Sequence, residues 1–169
     1  MRLASLLMMA ILLCLSCSKD NEEQKEENCL TAVINGDAFT AEATTGTSIA
    51  IMVDYEDLGV QSSDFLTING TILDLSGSTT SIVLTFACSE FTSELDIINS
   101  DGACGISMNY QSLAVSDPSA SIAVLASEGI INVEELTEER IRGTFSFKGE
   151  DANGNAYDIT DGFFDTTIQ

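Results

Sequence analysis

Apolar and polar side chains exchange places at every second residue over most of this chain. Residues 65–75 set Leu66, Ile68 and Ile72 against Thr67, Asn69 and Thr71, and residues 81–87 repeat the pattern with Ile82, Leu84 and Phe86. Residues 140–148 oppose Ile141, Phe145 and Phe147 to Arg142, Thr144, Ser146 and Lys148. Strict alternation gives a strand with one buried and one wet face, the habit of antiparallel sheets. Between such runs lie turn residues. Asn35-Gly36 separates residues 31–34 from the alternating segment 38–44, a strong hairpin signal because a type I′ turn needs positive φ at both central positions. Residues 48–53 form a further strand ahead of the acidic loop 54–57. Residues 129–136 lead through the charged turn Thr137-Glu138-Glu139 into 140–148, and Asp151-Ala152-Asn153-Gly154-Asn155 turns the chain into 157–168. In that last segment the apolar parity changes from Tyr157, Ile159 and Phe163 to Phe164 and Ile168, which predicts a β-bulge near Gly162. A 3.6-residue stripe is absent, and the only place for a helical turn is within 113–126, ahead of Pro118. The pattern specifies an all-β fold: an antiparallel meander of about eight or nine strands, either a sandwich or a partly closed barrel, with the meandering order favouring the barrel.

The N-terminus breaks the alternation. One positive charge at Arg2 precedes an uncharged apolar stretch, 3–15, and then Ser16 and Cys17. This has the form of a secretory signal and is shorter than the roughly 20 apolar residues of a spanning helix. Leu15-Ser16-Cys17 resembles a bacterial lipobox, with Cys14 at the position where Leu is usual; Cys14 is not itself the acceptor, because bulky Leu13 would then precede the cut. The lipobox implies a signal peptide at 1–16 and acylation of Cys17. Residues 18–28, SKDNEEQKEEN, carry nothing apolar and are expected to form a solvated tether. Fully extended, such a tether reaches at most about 40 Å. Ser18-Lys19-Asp20-Asn21-Glu22-Glu23 resembles the Lys-then-acidic export tag of Bacteroidetes-type lipoproteins. That resemblance implies the outer membrane and display at the cell surface, with a periplasm-facing position as the alternative. Residues 17–28 are thus the lipidated Cys and tether, and 29–169 a single β domain.

Three stretches of the body carry a further resemblance: Thr31-Ala32-Val33-Ile34-Asn35-Gly36-Asp37-Ala38-Phe39-Thr40-Ala41, Ile141-Arg142-Gly143-Thr144-Phe145-Ser146-Phe147 and Ile159-Thr160-Asp161-Gly162-Phe163-Phe164. Together they resemble a family of small Bacteroidetes-type lipoproteins catalogued as a domain of unknown function. The resemblance implies the β architecture and the lipoprotein address, and no activity.

Composition narrows the chemistry. Among 169 residues, 27 Asp and Glu face 6 Lys and Arg for a net charge of −21, while 44% of residues are apolar. Such a chain folds, since disorder needs low hydrophobicity together with high charge. It does not bind nucleic acid, whose affinity comes from Lys and Arg displacing counterions. The absence of His removes Ser-His-Asp and Cys-His nucleophile systems and His-ligated zinc. After acylation of Cys17, Cys29, Cys88 and Cys104 remain, in a compartment where disulfides persist. Cys88 and Cys104 bracket the polar loop 89–103 and are the candidate disulfide pair, worth on the order of 3 kcal/mol for a loop of this size. Cys29 is then the odd thiol, expected as a small buried hydrophobe.

The loop 151–155 offers alternating oxygen ligands but fails the EF-hand spacing, because Ala156 and Gly162 stand where Gly and Glu belong. A plain hairpin is the expected reading there, and the loop 54–57 has the same status. No metal or cofactor is called for. Two carboxylates about 5–10 Å apart suffice for glycoside hydrolysis, but nothing singles out Glu90, Glu94 or Asp96. Tyr55, Tyr110 and Tyr157 are the only aromatic residues besides Phe. The resulting expectation is a non-enzymatic, lipid-anchored β-module that binds or shields something outside the membrane. The alternatives are a lipocalin-like barrel carrying a small apolar ligand and, third, a carboxylate-dependent glycan hydrolase.

Overall fold

A computed structural model describes residues 28–42, 47–54, 64–88, 94–96, 104–137 and 139–168, with the side chains of 47–54, 64–65, 87–88, 94–96 and 104 outside the description. The strands are β1 (Cys29–Ile34), β2 (Asp37–Glu42), β3 (Thr47–Asp54), β4 (Asp64–Leu73), β5 (Thr79–Cys88), β6 (Glu94–Asp96), β7 (Cys104–Leu113), β8 (Ile122–Leu136), β9 (Arg140–Glu150) and β10 (Ala156–Thr167). All pair antiparallel in one sheet of order β2-β1-β10-β9-β8-β7-β5-β4-β3, with the three-residue β6 added beside β8. The expected all-β meander is therefore present as a nearly closed barrel. The ends of the path, β2 and β3, come together without a shared ladder. At this seam a Cβ on Gly70 of β4 would lie only 3.0 Å from Leu30 Cβ and 3.2 Å from Ala41 Cβ.

The turns are built from the residues that demanded them. Asn35 and Gly36 have φ of 50° and 94°, the type I′ signature. The Asn35 side chain also ties this turn to β10: its Oδ1 accepts from the Asp158 amide at 2.8 Å and its Nδ2 donates to the Ala156 carbonyl at 3.3 Å. The helical turn is a 3₁₀ segment, Pro118–Ala120, that begins at the proline rather than ahead of it. Proline suits the first helical position because the amide it lacks is unpaired there anyway. Asp117 caps the segment, its carboxylate accepting from the Ser119 amide and hydroxyl at 3.1 and 2.6 Å.

The bulge falls where the parity changed. Ile159 pairs with Phe147 and Gly162 with Phe145, so Thr160 and Asp161 together face Ser146 alone. Asp161 takes φ of 50°, a left-handed conformation uncommon outside glycine. The extra residue turns Gly162 and Phe164 inward and Phe163 outward.

Among the described residues the interior is lined by fully buried apolar side chains. Phe86, Phe147, Phe164, Leu30, Ile68 and Met108 are among the side chains with essentially no exposure. Each such Leu, Ile or Phe contributes about 1.5–3 kcal/mol by leaving water. Around β9 the packing follows one rule: an inward Phe lies across the ladder from an inward Gly. Phe164 partners Gly143, Phe145 partners Gly162, and Phe147 partners Gly129. The Phe145 ring stands 6.4 Å from both Phe147 and Phe164. Glycine leaves room for each ring above the neighbouring strand, and without such relief a tightly coiled sheet could not hold three rings in one layer. Nearer the β9–β10 loop, Tyr110 and Tyr157 meet across the interior at 5.5 Å. Burial pushes the Tyr110 phenol above its ordinary pKa, with Tyr157 adding to the shift.

Candidate binding surface on the outer face

The outward residues of β9 gather the positive charge of the folded body. Its three cations, Arg140, Arg142 and Lys148, all lie on this one strand. Each is engaged by a carboxylate on a neighbouring strand. Arg140 makes a two-pronged bond to Asp165, Nε to Oδ1 at 2.8 Å and Nη2 to Oδ2 at 2.6 Å, with side-chain exposures of 15% and 8%. Arg142 Nε stands 3.4 Å from Glu134 Oε2, and its guanidinium covers one face of the Phe163 ring at 5.5 Å. The Arg142 Nε is an ion-pair partner without a well-formed hydrogen bond. Lys148 Nζ lies 3.6 Å from Glu128 Oε1, both well exposed.

Between these pairs the outer face sinks into an open trough of about 490 Å³. Its floor follows from the register. Thr31, Phe163, Thr144 and Asn132 are successive cross-strand partners on β1, β10, β9 and β8 and form one outward row. The next outward row places Ser146 opposite Ile130. The bulge residue Asp161 borders both rows. A second hollow of about 450 Å³ continues past Ile130 and Ser146 toward Lys148, Asp158 and Thr160. The side chains of Thr31, Asn132, Thr144 and Ser146 have no hydrogen-bond partner among the described residues. The trough thus combines neutral donors and acceptors, one carboxylate and two apolar surfaces, with no unpaired cation.

Of the residues singled out from the sequence, Glu94 and Asp96 come beside the trough, as ladder partners of Asn132 and Ile130, and the others fall elsewhere. Cys17, the tether ahead of Asn28, loop residues 55–57, Tyr55 and Glu90 lie outside the described residues. Glu94 and Asp96 belong to β6, paired with Asn132 and Ile130, but their side chains lie outside the description. Asp151 Oδ1 accepts from the amides of Asn153 and Asn155 at 2.8 and 2.9 Å, and Oδ2 from the Asn155 side chain at 2.8 Å. These bonds hold its carboxyl below the ordinary range, Asn155 contributing most, and use the oxygens a cation would need. The loop is a hairpin, as expected. Asp74 does the same in the β4–β5 loop, where its Oδ1 accepts from the amides of Ser76 and Ser78. Among the described residues no group of acids and cysteines is arranged to hold a metal ion.

Cys88 and Cys104 are direct partners in the β5–β7 ladder. Opposed residues of an antiparallel pair stand about 4.5–5.5 Å apart at Cα, within the span of a disulfide. Their side chains lie outside the description. Cys29 corrects the expectation of an odd thiol: it is buried, at 3% exposure, but disulfide-bonded. Its partner sulfur is outside the described side chains.

The trough was not foreseen from the sequence. The parity change at Gly162 was its only signal, since the same extra residue exposes Phe163 and positions Asp161. No family model, curated protein or solved structure matches this chain. What the site does is therefore read from its own chemistry.

Proposed function

We propose that this protein is a non-enzymatic, lipid-anchored binding module of the outer membrane, displayed at the cell surface. It engages its ligand on the outer face of the barrel and not in its interior. The observation that carries the binding reading is the outer trough, where four polar side chains have no hydrogen-bond partner among the described residues, against an inner face that the described residues line with buried apolar side chains. The close packing of Phe86, Phe147, Phe164, Leu30, Ile68 and Met108 in the described part of the interior favours this reading over a carrier of small apolar ligands, which needs an internal cavity. The lipobox-like Leu15-Ser16-Cys17 and the acidic tether support the anchor. Several acyl chains on one residue give stable attachment, where a single chain is marginal. The acidic surface keeps the module off anionic lipid headgroups.

Metabolic labelling with an alkyne fatty acid, comparing the wild type with Cys17→Ala, tests the anchor. Label is expected in the wild type only, and equal labelling of both overturns it. Protease treatment of intact cells tests display, with loss of the protein expected at the surface and full protection counting against it.

A further inference from the structure

We infer that the outer trough over β8, β9, β10 and β1 is a binding site for a neutral saccharide bearing vicinal hydroxyl groups. The inference rests on the binding-module reading and names the ligand class of that site. Charge comes first. Arg140, Arg142 and Lys148 are each paired with a carboxylate, so no cation is left to recognise a phosphate, sulfate or uronate. Asp161 at the trough and Asp158 beside it repel such groups. A purely apolar ligand is disfavoured as well, since it would bury Thr31, Asn132, Thr144 and Ser146 without partners, at about 1–3 kcal/mol for each unsatisfied group.

A saccharide satisfies both halves of the lining. Its hydroxyls donate to a carboxylate and exchange hydrogen bonds with hydroxyl and amide side chains, while its C–H face packs on an aromatic or aliphatic surface. The trough supplies each element in adjacent rows. Asp161 offers two acceptor oxygens, suited to neighbouring hydroxyls on one ring. Asn132 offers a donor and an acceptor, and Thr144 and Ser146 add hydroxyls between them. Phe163 and Ile130 supply the apolar surfaces, and Arg142 fixes the Phe163 ring from one side. The two hollows, about 490 and 450 Å³, adjoin at Ile130 and Ser146 and are open to solvent, so they form a shallow surface groove along which a chain of sugar rings can lie.

The backbone gives a second, independent indication. Asp161 is held in a left-handed conformation within a two-for-one bulge, and bulges of this kind re-aim side chains beside binding sites. Strain at a non-glycine residue points to a role for the side chain it presents.

The test is affinity electrophoresis of the full-length chain in detergent through gels containing neutral polysaccharides (glucan, galactan, mannan) or a polyuronate. Retardation is expected on at least one neutral polymer and not on the polyuronate. Asp161→Asn is expected to weaken it about tenfold, the size of one hydrogen bond to a charged group, and Asn132→Ala about fivefold, the size of a neutral one, while Leu75→Ser, at an exposed loop, leaves it unchanged. Thermal melting of each variant confirms folding. No retardation on any neutral polymer, preference for the polyuronate, or retardation unaffected by both trough variants overturns the assignment. Because binding is measured in detergent, its outcome is independent of the labelling result at Cys17.

Discussion

Replacing Gly143 with Ala is expected to destabilise the barrel strongly, because the added methyl meets the backbone of the neighbouring strand. A Cβ at this position would stand 2.2 Å from the Asn132 carbonyl oxygen and 2.7 Å from Phe164 Cζ. The first contact decides the cost. A ring can tilt, but the Asn132 oxygen belongs to the β8–β9 ladder, where Asn132 partners Thr144 and Val133 partners Gly143 itself. Relief requires the two central strands to separate, and overpacking of this kind costs about 1–3 kcal/mol. With a urea m-value of about 1–3 kcal/mol/M, the midpoint should fall by about 1 M. Tyrosine fluorescence and far-ultraviolet circular dichroism follow the transition, as the chain has no Trp. Two comparisons isolate the cause. Gly70→Ala, whose added methyl meets first the side chains of Leu30 and Ala41 at 3.0–3.2 Å and not a backbone carbonyl, should cost clearly less. Adding Phe164→Leu to Gly143→Ala should not restore stability, because the carbonyl contact remains. A Gly143→Ala midpoint within about 0.2 M of wild type, corresponding to less than about 0.5 kcal/mol, refutes the claim that glycine permits the close approach here.

Three further outcomes follow from the same contacts. Asp165→Ala should cost about 3 kcal/mol, because it removes the two-pronged carboxylate partner of the largely buried Arg140 guanidinium, whereas Glu134→Ala, at a partly exposed pair, should cost about 1 kcal/mol; equal midpoints for the two variants in urea would contradict this. Hydrogen bonds hold the carboxyls of Asp74, Asp117 and Asp151 below their ordinary pKa of 3.8, Ser76, Ser119 and Asn155 being the largest contributors. Their contribution is therefore complete above pH 3.8 and is lost as pH falls through the lowered values, so a triple Asn variant should show a weaker loss of stability below that pH than wild type, and parallel curves would count against it. Peptide mapping without reductant should recover Cys29 in a disulfide; quantitative alkylation of Cys29 in the folded, unreduced chain would refute it. The same digest addresses Cys88 and Cys104, since an acylated Cys17 leaves three thiols, and within one chain three thiols make one bridge.

The strands were legible because burial in this fold is almost purely one-sided. Ile82, Leu84 and Phe86, or Ile141, Phe145 and Phe147, alternate so regularly that each element announces its own inner face. The bulge was legible for the same reason: two parities in one strand cannot both point inward. Closure was not, because nothing in the local pattern of β2 or β3 records that these edges meet; that depends on the stagger accumulated over the whole sheet, which brings Leu30 and Ala41 against Gly70. β6 escaped notice because three residues are too short for a periodicity, and β7 (Cys104–Leu113) and the first half of β8 (Ile122–Leu136) lie in a stretch to which no strand was assigned. The bond at Cys29 escaped because spacing alone favours the nearest pair, Cys88 and Cys104, and says nothing about a strand at the other end of the chain.

The trough was hidden for a different reason. Its residues, Thr31, Asn132, Thr144 and Ser146, are ordinary outward strand positions when read one strand at a time. Only the register sets them in rows, and only the bulge adds Phe163 and Asp161 to those rows. The net charge of −21 has a similar double meaning. Taken over the whole chain it excludes polyanions by repulsion. Resolved by strand, the folded body's few cations sit together on β9 and each is paired with a carboxylate, so the face that carries the trough offers no unpaired cation to an anion. Within the proposed binding role, a trough that is polar, holds no unpaired cation and leaves its side-chain donors and acceptors open to solvent suits a ligand that is itself polar, uncharged and rich in hydroxyls.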